Sequence, residues 1–157
     1  MIFRHDEPSE HLGNVSLPGS GFDVPAPVTV ERIGAQLREH GYKFTQDDDG
    51  DLTGVWDENQ FWFILGGSAN EVLQIRARWK ETIPSDKHLD ALLIVNDWNR
   101  DHLWPKAYFR EEGDIVVYAE VSIDLEYGVT DAQLQDILAC GLITAVQFFS
   151  EIEVPMD

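Results

Sequence analysis

The spacing of apolar residues predicts three helices along the chain. Thr29 and Ser85 are the expected N-caps of the first two, because a hydroxyl there accepts a hydrogen bond from the first helical turn. The third begins with a capping box formed by Thr130 and Gln133. The second helix carries apolar residues around a wide arc, which predicts burial on more than one side. The predicted helices span residues 30–40, 86–100 and 131–150.

Alternating or continuously apolar runs between these helices predict six strands. Four lie between the first and second helices, separated by short turns, so we expect an antiparallel meander. Two more, joined by a hairpin turn at Gly113, precede the third helix. The order α-β-β-β-β-α-β-β-α predicts an α+β fold, with helices packed on one face of an antiparallel sheet. The predicted strands span residues 42–45, 52–56, 60–66, 71–79, 105–109 and 114–123.

The first 27 residues lack any apolar period and are punctuated by proline and glycine, which predicts an N-terminal tail. Residues 28–157 are then expected to form a single domain. The first residues, MIFRHDEPSE, do not have the pattern of a secretory signal. The longest apolar stretches are shorter than the ~20 residues that span a bilayer. We therefore expect a cytoplasmic protein.

The net charge of the chain limits the classes of partner that it is expected to bind. Eleven Lys and Arg stand against 29 Asp and Glu, for a formal net charge of −18. A nucleic-acid binder must neutralise phosphates, and an anionic membrane surface attracts basic segments, so neither partner is expected. The acidity is compatible with a basic partner, a cation or simply a soluble surface.

The sequence predicts no catalytic residue, metal site or cofactor. The single cysteine, Cys140, lies in an apolar helical run and is expected to be a small buried thiol. The acidic run DDDGD (47–51) does not fit a calcium-binding EF-hand loop and is expected to be a hairpin turn. The stretch LGGSANE (65–71) leads into a strand, so it does not fit a phosphate-binding loop. None of the histidines has zinc-motif spacing; His40 and His102 are expected at helix C-termini.

The stretch NDWNRDHLWPKAYF (96–109) is the most unusual in composition, and two interpretations remain open. It could be a hinge between a helix and a strand, where its polar side chains satisfy backbone groups at the helix end. It could instead bind a partner or a ligand. The residues that would do so are Trp98, Asn99, Arg100, Trp104 and Lys106.

The same region resembles a known family. The pattern N-x-W-N, then WPKAY, then EEGDIVVYAEVSIDLEYGVTDAQL is similar to the YbjN family, proposed bacterial sensory-transduction regulators, over about residues 27–153. The resemblance implies an α+β domain like that of type III secretion chaperones, which are small, acidic, often dimeric and non-enzymatic. It implies no catalytic residues.

Two functions follow as hypotheses. The first is a non-enzymatic protein-binding or regulatory module, expected to be a homodimer because the second and third helices have more apolar surface than one core needs. Its predicted interface residues are Ile94, Leu142, Ile143 and Val146. The second is a small-ligand-binding domain or an enzyme with a tryptophan-lined pocket. That pocket would be formed by Trp56, Trp62, Trp79, Trp98 and Trp104.

Overall fold

A computed structural model describes residues 24–156. Most of the predicted tail, residues 1–23, lies outside the described residues. The described part contains three α-helices, one short 3₁₀ helix (Ser85–Lys87) and six strands. The helices are α1 (Val30–Glu39), α2 (His88–Asp101) and α3 (Asp131–Ser150). The strands are β1 (Thr45–Gln46), β2 (Leu52–Trp56), β3 (Asn59–Gly66), β4 (Val72–Ile83), β5 (Lys106–Glu112) and β6 (Asp114–Asp124).

The six strands form one antiparallel sheet in the order β1-β2-β3-β4-β6-β5. The first four strands form the predicted meander, and β6 of the second hairpin pairs with β4. The predicted α+β class and element order are therefore confirmed. The first strand was predicted at residues 42–45 and forms only at Thr45–Gln46, so it is shorter and lies later in the chain. Strand β4 continues beyond Trp79 to Ile83 after an irregularity in its pairing with β6.

The helices cover one face of the sheet, here called the helix-covered face. Cross-strand partners on this face, such as Phe61, Ala77 and Ala119, are buried because their side chains alternate inward along each strand. Helix α3 packs over β4 and β6, α2 packs over β5, and α1 packs against α3. Helix α3 lies close to β4 at Gly141, where an added Cβ would lie 2.6 Å from Cδ1 of Ile75. The opposite face of the sheet, here called the open face, carries most of the polar strand residues.

Two of the three predicted N-caps are confirmed. The Thr29 hydroxyl accepts a hydrogen bond from the Arg32 amide, and Thr130 and Gln133 form the predicted capping box. The predicted cap at Ser85 is wrong, because residues 85–87 form the 3₁₀ helix and α2 begins only at His88, without a side-chain cap. The prediction that α2 is buried on more than one side is also wrong within this chain, since α2 lies over the edge strand β5 and contacts the core with one side only.

The buried side chain of Arg32 joins three separate parts of the chain. Its guanidinium donates hydrogen bonds to the carbonyl oxygens of Ala26 and Val129, at 2.7 Å each, and to Asp131 Oδ1 at 2.8 Å. A further bond of 3.0 Å reaches the Pro27 carbonyl. The segment before α1 and the start of α3 are therefore held together by one side chain of α1.

By length and composition alone, helix α3 could cross a membrane. The sequence did not predict this, because its uninterrupted apolar stretches are too short to span a bilayer. Core helices of globular domains often meet the same criterion. The predicted apolar face of α3, including Leu134, Leu138, Ala145 and Phe148, is buried, so α3 is the principal core helix of this fold.

Candidate functional site

The helix-to-strand segment after α2 is built around Trp98. Its indole N–H donates to the Pro105 carbonyl at 3.1 Å, and its ring stacks on His102 with ring centres 3.6 Å apart. On its other side the ring lies 4.9 Å from that of Phe148 in α3. The peptide bond between Trp104 and Pro105 is cis. Trp98 thus fixes the end of α2 to the start of β5 and to α3.

The side-chain amide of Asn99 completes this connection by bonding the backbone of β5 as a neighbouring strand would. Its amide group donates to the Ala107 carbonyl and its oxygen accepts from the Ala107 amide, both at 2.9 Å. These two bonds satisfy the outward-facing backbone groups of Ala107 at the edge of the sheet. Trp98 and Asn99 therefore both make the structural contacts that the hinge interpretation requires.

The remaining predicted binding residues point in different directions. Arg100 is exposed and bonds Asp101 and Asp97 on its own helix, and Trp104 is half exposed beyond the helix end. Lys106 lies on the open face, where its ammonium is 3.7 Å from Glu120. The five predicted residues are thus not brought into one pocket, and a binding role for them stays a prediction.

A concavity of about 260 Å³ lies between the C-terminal ends of α2 and α3. Trp98, His102 and Phe148 form its apolar side, and Arg100 does not line it. Its rim is acidic, with Asp97, Asp101, Glu151 and Glu153. The tryptophans do not form a common pocket: Trp98 lines this concavity, whereas Trp62 and Trp79 line two others.

The outer side of α2 exposes three leucines, here called the α2 patch. Leu89, Leu92 and Leu93 are 67%, 43% and 50% exposed. Their spacing of three and four residues places them on one side of the helix, away from buried Ala91 and Trp98. The chain therefore has exposed apolar surface on α2, on a side of the wide apolar arc that was predicted to be buried.

The predicted dimer-interface residues have different degrees of exposure. Ile143 on α3 is 66% exposed, whereas Leu142 is buried where α3 meets α1. Ile94 and Val146 are half-buried and pack against the core. Their role in a dimer stays a prediction, and the exposed leucines of the α2 patch are not among them.

On the open face, the buried carboxylate of Glu120 on β6 is held by side chains from the two neighbouring strands. It accepts hydrogen bonds from Gln74 and Arg76 on β4 and from Tyr108 on β5, the last at 2.8 Å. Sequence reasoning missed this group. The available signal was the alternation of polar and aromatic residues along β4, β5 and β6, which marks one sheet face without showing which side chains meet.

Burial raises the pKa of Tyr108 to about 12, and the hydrogen bond to Glu120 and its negative charge act in the same direction. The neutral phenol is thus favoured in the folded state. Its contribution to stability is complete below pH ~10, where an unfolded tyrosine ionises, and is lost as the pH rises through 12.

We therefore expect an ultraviolet titration of the tyrosines to show one ionisation step near pH 12 that disappears in Tyr108→Phe. Glu120→Gln should move that step to lower pH, because it removes the negative charge beside the phenol. Ionisation of Tyr108 near pH ~10 in the folded protein would contradict the arrangement.

The acidic turn is a hairpin turn, as predicted, with Gly50 at positive φ between β1 and β2. Asp47 Oδ1 accepts the backbone amides of Asp49 and Asp51, and carboxylate oxygens of all three lie within 4.8 Å of one another. Burial, then the charges of Asp47 and Asp49, raise the pKa of Asp51. The turn lines one end of a second concavity on the open face.

The other residues considered in the sequence have structural contacts. Nδ1 of His40 and of His102 lies within hydrogen-bond distance of a backbone carbonyl four residues earlier, at helix C-termini as predicted. Cys140 is half-buried, rather than buried as predicted. The LGGSANE stretch is a loop between β3 and β4, as predicted.

A solved structure of low sequence identity shares this architecture. The crystal structure of YbjN from E. coli, described as "a putative transcription regulator", has a TM-score of 0.69 with 13% sequence identity, over 82% of this chain and 93% of that chain. A chain of the HopA1–SchA chaperone–effector complex has a TM-score of 0.49 with 16% identity, over 79% of this chain and 99% of that chain. No curated protein matches the sequence.

A family model matches residues 29–154, from the cap of α1 to just beyond α3. The match includes all three helices and all six strands. It also includes the N-x-W-N and WPKAY motifs, which lie at the end of α2 and the start of β5. The chain therefore belongs to the YbjN family, which is described as "Putative bacterial sensory transduction regulator".

Proposed function

We propose that this protein is a non-enzymatic, protein-binding regulatory module that acts as a homodimer through the α2 patch. The observation that carries the proposal is the exposure of three leucines on one side of α2, beside a well-filled core. Large contiguous apolar surface on a soluble domain commonly marks an interaction site. Membership of a family of proposed regulators supports the same type of function.

The geometry of the patch suits contact with a second copy. The leucines occupy the N-terminal half of α2, and the outer side of the C-terminal half is polar, with Asn96 and Arg100. Two copies of α2 crossing about a two-fold axis would bring patch against patch and leave the polar halves at the rim. Contact between the two patches would remove the six leucine side chains from water. Each Å² of apolar surface buried in this way stabilises the dimer by roughly 25 cal/mol.

The non-enzymatic part of the proposal is supported by the surroundings of the reactive side chains. Within residues 24–156, no histidine is hydrogen-bonded to a serine hydroxyl or to Cys140, as an activated nucleophile would require. The histidine nitrogens contact backbone carbonyls, Glu111 and Gln135 instead.

We expect light scattering coupled to gel filtration to give twice the 17.8 kDa chain mass at micromolar concentration. Leu89→Ser combined with Leu93→Ser should give a folded monomer, because it replaces the centre of the patch with hydroxyl groups. Val55→Ser, at another exposed apolar position on β2, is the matched control and should remain dimeric. Ile143→Ser tests the neighbouring surface of α3.

The salt dependence separates a second copy from a basic partner. Each copy carries −18, so added salt should strengthen self-association by screening repulsion, whereas it would weaken binding to a basic protein. A wild-type monomer at all salt concentrations would remove the homodimer from the proposal. A dimer broken by Ile143→Ser but not by the α2 variant would place the interface on α3.

A further inference from the structure

The open face of the sheet holds a concavity of about 240 Å³, here called the sheet cleft, which is separate from the α2 patch on the other side of the molecule. Its floor is apolar and aromatic, with Trp62 and Ile64 from β3 and Tyr118 from β6. Its two ends carry opposite charges. A small cleft with an apolar floor and a few polar groups is the common form of a ligand site.

The negative end is the acidic turn between β1 and β2. Asp47, Asp49 and Asp51 line the cleft, and within the described chain no Lys or Arg lies at salt-bridge distance from any of them. Exposed carboxylates are common and would not identify a ligand alone. Here they face a cleft whose other end is cationic.

The positive end is Arg110 on β5. Its guanidinium lies over the rings of Tyr108 and Tyr118, 5.9 Å and 5.7 Å from their centres, and the two rings are stacked on each other. Among residues 24–156 no carboxylate lies at salt-bridge distance from Arg110. The other cleft arginine, Arg76, is already bonded to Gln74 and Glu120. Arg110 is therefore a positioned cation with unused donors.

The strand order sets the separation between the two ends. Asp51 immediately precedes β2, and Arg110 lies on β5, so four strand spacings separate their backbones. At ~4.8 Å per spacing the two strands lie roughly 19 Å apart across the sheet. The registers add an offset along the strands, since Arg110 pairs with Val116 whereas Leu52, next to Asp51, is level with Val121. Both side chains nevertheless line the same cleft. A ligand that contacts both ends must be elongated, with its charges several bonds apart.

We propose that the sheet cleft binds a basic amino acid, free or as the last residue of a peptide. The side-chain cation contacts the aspartates, the carboxylate contacts Arg110, and the apolar stem lies on Trp62 and Tyr118. A simple anion is disfavoured by the aspartates and the acidic chain, and a simple diamine leaves Arg110 without a partner. This inference does not depend on the dimer proposed above.

The test is calorimetric titration of the full chain in the presence of EDTA, which removes divalent cations. L-Lysine and L-arginine are the probes, cadaverine lacks the carboxylate, and norleucine lacks the side-chain cation. We expect saturable binding of at least one basic amino acid, with Kd at least about tenfold higher for cadaverine and norleucine. A Gly-Gly-Lys tripeptide distinguishes a peptide end from the free amino acid by binding more tightly than lysine.

Matched variants locate the site. Arg110→Gln and Asp49→Asn should each raise Kd by about tenfold or more, because each removes one charge-assisted contact. Arg78→Gln, on the same face outside the cleft, and Asp48→Asn, in the same turn, should bind like the wild type. Thermal unfolding of each variant verifies that it is folded. Absence of saturable binding by lysine and arginine, equal binding of cadaverine, or equal loss in the control variants would overturn the proposal.

Discussion

Replacing Arg32 with methionine is expected to lower the free energy of unfolding by about 3–5 kcal/mol, because it removes a buried charge that bonds several groups at once. Methionine fills a similar volume and donates no hydrogen bond. The carbonyls of Ala26, Pro27 and Val129 and the carboxylate of Asp131 would each lose a donor. The side chain is only 8% exposed, so water cannot readily replace those bonds.

Urea unfolding followed by tryptophan fluorescence measures this loss, which corresponds to a melting temperature about 10 °C lower. Arg38→Met is the matched control, since Arg38 is exposed on the same helix, and it should change stability by less than about 1 kcal/mol. Arg32→Lys should recover only part of the loss, because an ammonium group cannot reproduce the forked geometry of the guanidinium. Equal effects of Arg32→Met and Arg38→Met would show that the junction contributes little.

Replacing Phe148 with alanine is expected to cost about 3–5 kcal/mol, the usual range for removing a buried aromatic ring. Phe148 is buried on α3 and contacts the rings of Trp98 and Phe149. Its loss leaves a cavity at the point where α3 supports the hinge of α2. The effect should therefore include a loosening of α2, visible as faster amide hydrogen exchange near Trp98.

Phe148→Leu retains much of the volume and should cost roughly 1 kcal/mol. Ile143→Ala, on the exposed side of the same helix, should be close to neutral in a monomer and therefore separates burial from helix propensity. If Phe148→Ala and Phe148→Leu destabilise equally, the ring is not tightly packed and the support for α2 must come from elsewhere.

Local patterns were sufficient for most of the elements. Thr130 and Gln133 predicted the first residue of α3 because a capping box depends only on neighbours three residues apart. The turn at Gly50 was predictable for the same reason, since positive φ is a local demand. The failure at Ser85 is also local: Pro84 precedes it, and the chain forms a 3₁₀ turn before α2 starts.

The candidate sites depended on contacts that are distant in sequence. Arg110 and Tyr108 are close to Tyr118 because β5 and β6 form a hairpin. Asp47, Asp49 and Asp51 join the same cleft only through the order of the strands. No spacing in the sequence reports that order. The Glu120 network was missed for the same reason, because its donors come from β4 and β5 on either side of β6.

The amino-acid sequence by itself determined the class of fold and the element order, because helix caps, turns and alternation of apolar residues act over a few neighbouring positions. The family was indicated separately, by the resemblance of the sequence motifs. The wide apolar arc of α2 predicted burial on more than one side, which is wrong, because the sequence does not show what α2 packs against. That was decided by the tertiary structure, since α2 lies above an edge strand and the sheet can bury only one of its sides. The leucines left outside and the charges gathered on the open face are consequences of that packing.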